Sequence, residues 1–184
     1  MISKTILVAI MTVFIVGFLT QNAFAASVDY YLEIDGIEGE SADRGHEKWI
    51  NLESWGFAAT QAKTGGGGGG AGKVIVQDFH FDKHVDKASP KLFESLTNGK
   101  HIQDATLELC RAAGDGQSQC YLTIKLSDVV ISGYQIGGSG GNVPTDQFSL
   151  NFAKIEFEYK PQKADGTLDA PIKATYDVKK NVKV

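Results

Sequence analysis

Few residues of this chain have the types and spacing to do chemistry. They are Cys110 and Cys120, the histidines at 46, 80, 84 and 101, and a glycine-rich run that ends in Lys73. On a strand, His80 and His84 share a face with Asp78 and Asp82, a donor set of the kind that holds a divalent ion. Strand positions four apart are about 13 Å from each other, however. Two such side chains do not converge easily on one ion, so they read as surface histidines beside a loop, and we expect neither a metal nor a cofactor. Gly67-x-x-x-x-Gly72-Lys73 stops one residue short of a phosphate-binding loop, because Val74 stands where a magnesium-binding Ser or Thr is required. The run leads into a β-branched, strand-like segment, with no helix N-terminus to receive a phosphate. Neither a Ser/His/Asp set, nor paired carboxylates in a cleft, nor a catalytic cysteine context emerges, so no catalytic residue is assigned. Trp49, Trp55, Tyr30, Tyr31 and Phe148 could form a sugar-stacking platform. No cluster of Asn, Asp and Arg accompanies them, and they read as core or interface.

The elements that must carry these residues are strands nearly throughout. Tyr30, Leu32 and Ile34 alternate with acids up to Gly36. Ile37 to Glu47 is polar and reads as a loop, and Lys48 to Gln61 as a strand with an irregular centre near Gly56. Val74 to Phe81 is β-branched and aromatic. The six glycines from Gly65 to Gly70 have no Cβ to bury and mark a surface loop. A single helix is predicted, capped by Ser89, with Pro90 at its first position and Asn98-Gly99 as its stop. Leu92, Phe93 and Leu96 form its apolar face. Ala105 to Arg111 and Gln119 to Ile131 form a hairpin around Ala112 to Ser118. The apolar phase slips near Asp128, which suggests a bulge there, and slips again near Ala153-Lys154, which suggests an extra residue in that strand; bulges bend a strand and turn corners. The pattern predicts a mainly β fold, a two-sheet β-barrel or sandwich with one short flanking α-helix.

Cys110 and Cys120 flank the hairpin loop, which suggests a cross-strand bond. Parity objects, since Cys120 runs with Leu122 and Ile124, whereas Cys110 runs with Thr106 and Glu108. A bulge would reconcile the faces; the pairing stays open at this level.

The chain opens like an exported protein: Lys4, an apolar run from Thr5 to Thr20, then Ala23-Phe24-Ala25. The run is shorter than the ~20 residues a membrane span needs. Cleavage between Ala25 and Ala26 is expected, leaving 26–184 as one domain in an oxidising compartment, periplasmic or extracellular, that favours disulfides. Removing 1–25 takes away Lys4 and no acid, leaving 17 basic against 22 acidic residues. That mild, dispersed excess argues against nucleic acid and against anionic membrane surfaces as partners.

In order and spacing, the chain resembles the haemolysin-coregulated protein (Hcp) family of type VI secretion. The carriers are YLEIDGIEGES, GGGGGGAGKVIVQDFHFDKHVDKASPKLF, GKHI, Asp128-Val-Val-Ile-Ser, Gly137-Gly-Ser-Gly-Gly, NFAKIEFEYKPQKADG and YDVKKN. The resemblance implies a compact two-sheet barrel with a helix at its side. It implies homohexameric rings that stack into the inner tube of the secretion machine, meeting sheath and tip proteins and carrying effector cargo. It also implies that the loop with Glu38, Glu40, Asp43, Arg44 and His46 contacts a neighbouring subunit or ring, and that no residue is catalytic. The export signal departs from the family pattern. The alternatives are an exported ring former outside the machine, or a ligand- or glycan-binding barrel.

Overall fold

The computed structural model describes residues 27–61, 73–112 and 118–184. The expected export segment, the glycine run and the tip of the cysteine hairpin lie outside them. Eleven strands and one helix are arranged in chain order as β1 (Val28–Ile34), β2 (Ile50–Leu52), β3 (Ser54–Gly56), β4 (Ala59–Gln61), β5 (Val74–Val76), β6 (Phe79–His84), α1 (Ala88–Asn98), β7 (His101–Ala112), β8 (Ser118–Gly137), β9 (Thr145–Tyr159), β10 (Ile172–Asp177) and β11 (Val182–Lys183). Nine strands make one sheet along the path β11-β10-β9-β8-β7-β1-β2, with β6 joining β9 and β3 joining β6. The β4–β5 pair is a second, two-stranded sheet.

The large sheet rolls because β9 changes partner along its length. Thr145 to Leu150 pair with β6, and Lys154 to Tyr159 pair with β10. At the far side β2 pairs only with β1, and β3 only with β6. The Glu53 N–H marks the handover by donating to the Asp82 carbonyl at 2.8 Å. No residue of β2 or β3 is laddered on both edges, so the sheet curls around its core without closing. The mainly β, two-sheet fold with one flanking helix expected from the pattern is present, and of its barrel and sandwich forms the structure takes an open, rolled one.

The slips of phase have a single cause. Buried positions stand three apart in each of three neighbouring strands: Ile102 and Ala105, Leu126 and Val129, Phe152 and Ile155. They align as two cross-strand rows, Ile102–Val129–Phe152 and Ala105–Leu126–Ile155. The register is kept across this level, which corrects both the bulge expected near Asp128 and the extra residue expected near Ala153-Lys154: no strand gains a residue over its neighbours there. All three strands bend together, and the sheet turns a corner there. Asp128, at the bend, takes a left-handed backbone (φ 53°), tolerable for an Asp. Its carboxylate holds His101 at 3.0 Å and also binds Lys179. A register shift on the β9 side comes later, at Ser132, between Ile131 and Gly133.

The core is one cluster fed by β1, β2, β6 to β9 and the helix, centred on fully buried Leu32, Ile50, Phe79, Leu92, Ile124, Val129 and Leu150. The long predicted segment 74–81 breaks at Gln77-Asp78, where β5 leaves for the small sheet. The helix also differs from expectation. It begins at Ala88, one residue before the expected cap, and Lys87 makes no side-chain cap. Asp86 takes that role, its Oδ1 accepting from the Ala88 N–H at 2.9 Å. Ser89 Oγ accepts in return from the Asp86 N–H at 3.1 Å, a reciprocal box. Gly99, at φ 58°, ends the helix in the left-handed region. Leu92 is buried, but Phe93 is 54% exposed, 6.0 Å from the Tyr134 ring; Ala88, Ser89 and Ser95 complete the packed face instead.

Candidate functional site

Two clusters of polar side chains are buried among the described residues, one on each side of the sheet. The first lies on the outer face of β1, β7 and β8, where Tyr31, Glu108 and Thr123 form a cross-strand row. Glu108 shares that face with Cys110, and the loop after Gly36 folds over both. Its backbone is tied at Gly39 N to Lys48 O (2.7 Å), Ser41 N to Trp49 O (3.0 Å) and Lys48 N to Ser41 O (2.9 Å). Gly39 approaches so closely that a Cβ there would lie 2.3 Å from the Trp49 carbonyl oxygen.

This loop drives His46 onto the sheet. The ring is 4% exposed, stacks on Tyr31 at 4.1 Å and meets the edge of Trp49 at 4.8 Å. Its Nδ1 lies 2.7 Å from Asp43 Oδ1, and its Nε2 lies 2.9 Å from Glu108 Oε2 and 3.7 Å from each cysteine sulfur. The hydrogen bond from His46, helped by the Gly45 N–H, holds the Asp43 carboxyl below the usual range against the opposing effect of burial. Burial, with a smaller push from the Asp43 and Asp29 charges, raises the Tyr31 phenol.

Cys110 and Cys120 are disulfide-bonded, with Cα atoms 3.9 Å apart. The parity objection is met by a bulge: β7 runs Leu109, Cys110 against Leu122, Cys120, so Tyr121 is the extra residue. Without it Cys110 would face Tyr121. The displaced Tyr121 ring sits under the Arg111 guanidinium at 5.1 Å.

The second cluster joins the helix to the sheet. Lys83 and Asp146 are both wholly buried. Lys83 Nζ donates to Asp86 Oδ1 (2.6 Å), Ser89 Oγ (2.9 Å) and the His84 carbonyl (3.0 Å). It lies 3.1 Å from Asp146 Oδ1, close in charge but off the hydrogen-bonding angle. Tyr134 OH donates to the other oxygen, Asp146 Oδ2, at 3.0 Å. Burial first, and that carboxylate second, push the Tyr134 phenol up to about 12. Lys83 thus donates to three acceptors, two of them at the start of the helix, and fastens the helix to the sheet.

The candidate residues from the sequence separate accordingly. Glu38, Glu40 and Arg44 are exposed on the loop and Asp43 is half-buried. His46 is turned inward, a correction to its place in a contact set, because it anchors the loop. Glu38 bridges Lys48 (3.1 Å) and Lys87 (3.2 Å), which lowers its carboxyl, and Glu40 accepts from the Lys87 N–H at 3.0 Å. The loop is thus strapped to the helix start. Ala25 and Ala26 lie outside the described residues. His80 and His84 are exposed on β6; His84 pairs with Glu53 at 3.3 Å, and the two histidines form no donor cluster. Trp55 and Phe79 stack at 5.9 Å, and Tyr31 and Phe148 are buried, so the imagined sugar platform is not assembled. The grouping of His46, Glu108, Cys110 and Cys120, whose ligand atoms all lie within 4.8 Å of one another, escapes the sequence reading. A clue is present: Thr106, Glu108 and Cys110 share a strand face that needs a cover, and the loop holds a histidine.

Comparison with known proteins agrees with this geometry. Residues 31–159 match the family described as type VI secretion system effector, Hcp. Protein hcp1 of Pseudomonas aeruginosa is 40% identical over 160 residues, covering 85% of this chain and 98% of that protein. A solved type VI secretion effector from Yersinia pestis superposes with a TM-score of 0.68 at 35% identity, over 82% of this chain and all of that one. Hcp1 from Salmonella typhimurium gives 0.69 at 30%, over 86% and 99%. With the rolled sheet, the single flanking helix and the family match in agreement, the chain belongs to the Hcp family of type VI secretion.

Proposed function

We propose that the chain is a structural subunit that closes into hexameric rings stacking as the inner tube of a type VI secretion system, and that it performs no catalysis. Family membership over most of the chain carries this reading. Two features support it. The buried polar clusters are spent on fastening the loop and the helix, and the surface keeps exposed apolar residues at Ile172, Val182 and Val184 on the β10–β11 edge and at Ile75 on β5. An unpaired edge with apolar side chains suits a head-to-tail interface repeated around a ring. Glu38, Glu40 and Arg44 stand on the loop where they can meet a stacked ring, with sheath, tip and effector proteins as further partners. Export through residues 1–25 precedes assembly.

Size-exclusion chromatography with light scattering tests the ring: six times the chain mass is expected, and a strict monomer at high concentration overturns it. Electron microscopy should show rings with a central hole. Amino-terminal sequencing of the exported protein should begin at Ala26.

A further inference from the structure

We infer that the Cys110–Cys120 disulfide masks a divalent-metal site, in which His46, Glu108 and the two thiolates take up zinc once the bond is reduced. This goes beyond ring assembly and does not depend on it.

The first observation is distance. Tetrahedral zinc with ordinary bond lengths separates its sulfur and nitrogen ligands by about 3.6 Å, and its nitrogen and oxygen ligands by about 3.3 Å. His46 Nε2 lies 3.7 Å from both sulfurs and 2.9 Å from Glu108 Oε2. Three of the ligand separations therefore stand within about 0.4 Å of the coordinated values. The two bonded sulfurs must part, to about 3.8 Å, and breaking their bond frees them to do so; all four ligand atoms already lie within 4.8 Å of one another. The donor set, two sulfurs with one imidazole and one carboxylate, is that of zinc.

The second observation is the support behind the donors. His46 Nδ1 lies 2.7 Å from Asp43 Oδ1, so a proton held there by that carboxylate leaves Nε2, beside the sulfurs and Glu108, to coordinate the metal in place of its present contact with Glu108. An imidazole held by a carboxylate in this way is the usual outer shell of a metal-bound histidine. Thr123 Oγ1 donates to the other Glu108 oxygen at 3.3 Å. Tyr31 and Trp49 wall the ring. The frame rests on the ladders from β1 through β7 to β8, which do not require the disulfide.

The step balances. A dithiol or phosphine reductant supplies two electrons, and two protons are taken up as the S–S bond becomes two thiols. The dithiol leaves as its disulfide, or the phosphine as its oxide with oxygen from water. Zinc then displaces both thiol protons. Reoxidation ejects the metal, so this face would hold zinc in a reducing compartment and a disulfide after export.

The test is anaerobic titration of the purified chain with Co²⁺ and then Zn²⁺, before and after phosphine reduction, with circular dichroism recorded throughout. The expected result is one Co²⁺ per reduced chain, showing sulfur-to-cobalt charge transfer and strong tetrahedral d–d bands that Zn²⁺ erases, and no stoichiometric uptake by oxidised protein. Asp43→Asn should weaken binding about 10–100-fold, and His46→Gln or Glu108→Gln at least as much. Cys110→Ser combined with Cys120→Ser should remove the charge-transfer band. Equal uptake by oxidised protein or by the double serine variant overturns the inference, as does a folded reduced chain that takes up no cobalt. Loss of the β-sheet dichroism on reduction also overturns it, because the site requires the ladder to persist.

Discussion

Lys83 is buried to the last atom together with Asp146, and that makes it the sharpest point at which to test the structure. Replacing it by methionine keeps the stem and removes the charge. Asp146 is left wholly buried with Tyr134 as its remaining donor, while Asp86 and Ser89 each lose a short contact. Breaking one half of a buried ion pair costs about 3–5 kcal/mol, because the surviving charge stays uncompensated. For a chain of this length that is a fall in Tm of about 6–20 °C. Asp146→Asn preserves shape and still offers an oxygen to Tyr134 OH. Adding it to Lys83→Met removes the stranded charge and should recover about 2 kcal/mol of the loss. Guanidinium unfolding followed by tryptophan fluorescence, at one fixed protein concentration since assembly adds to apparent stability, gives all four corners of the cycle. Strong non-additivity is the expected result. If the two single losses simply add in the double variant, the lysine and the aspartate are not a coupled buried unit.

The loop, the bridge and the phenol each supply a further expected outcome. Gly39→Ala should cost about 1–3 kcal/mol, because its Cβ would meet the Trp49 carbonyl and the Ile50 backbone; denaturant midpoints check this, with Gly133→Ala, which meets only the movable Ser149 side chain, as the milder comparison. Removing the bridge by Cys110→Ser with Cys120→Ser should cost about 2–3 kcal/mol for so short a loop and leave the β dichroism intact. The Tyr134 phenol, held neutral in the fold, contributes stability that is complete below pH 10.0 and is lost as pH rises toward about 12. Tyr134→Phe should flatten that part of the pH–stability curve, and an unchanged slope would assign it elsewhere.

The strands and the helix are legible in the sequence because burial leaves a period. Tyr30, Leu32 and Ile34 alternate, and the i, i+3 slips at Leu126/Val129 and Phe152/Ile155 mark the corner. One chain segment cannot show that the slips coincide across β7, β8 and β9 and so keep register. Phe93 is misassigned by its spacing for a related reason, since a short helix has several apolar stripes and only the contact with β8 selects one. The disulfide is ambiguous in sequence because parity counts residues along one strand, whereas the bulge at Tyr121 is defined only against β7.

Residue order alone settles what depends on near neighbours: β-branched alternation, the glycine at the helix stop and the motifs of the family. Folding decides what depends on distant ones. Glu108 stands 62 positions from His46, and Lys83 and Asp146 belong to different strands. Whether such groups meet, and whether the meeting is dry, depends on how the sheet rolls and where a loop is pinned. Those long-range contacts turn a loop histidine into an anchor and a scattered set of ordinary residues into a site.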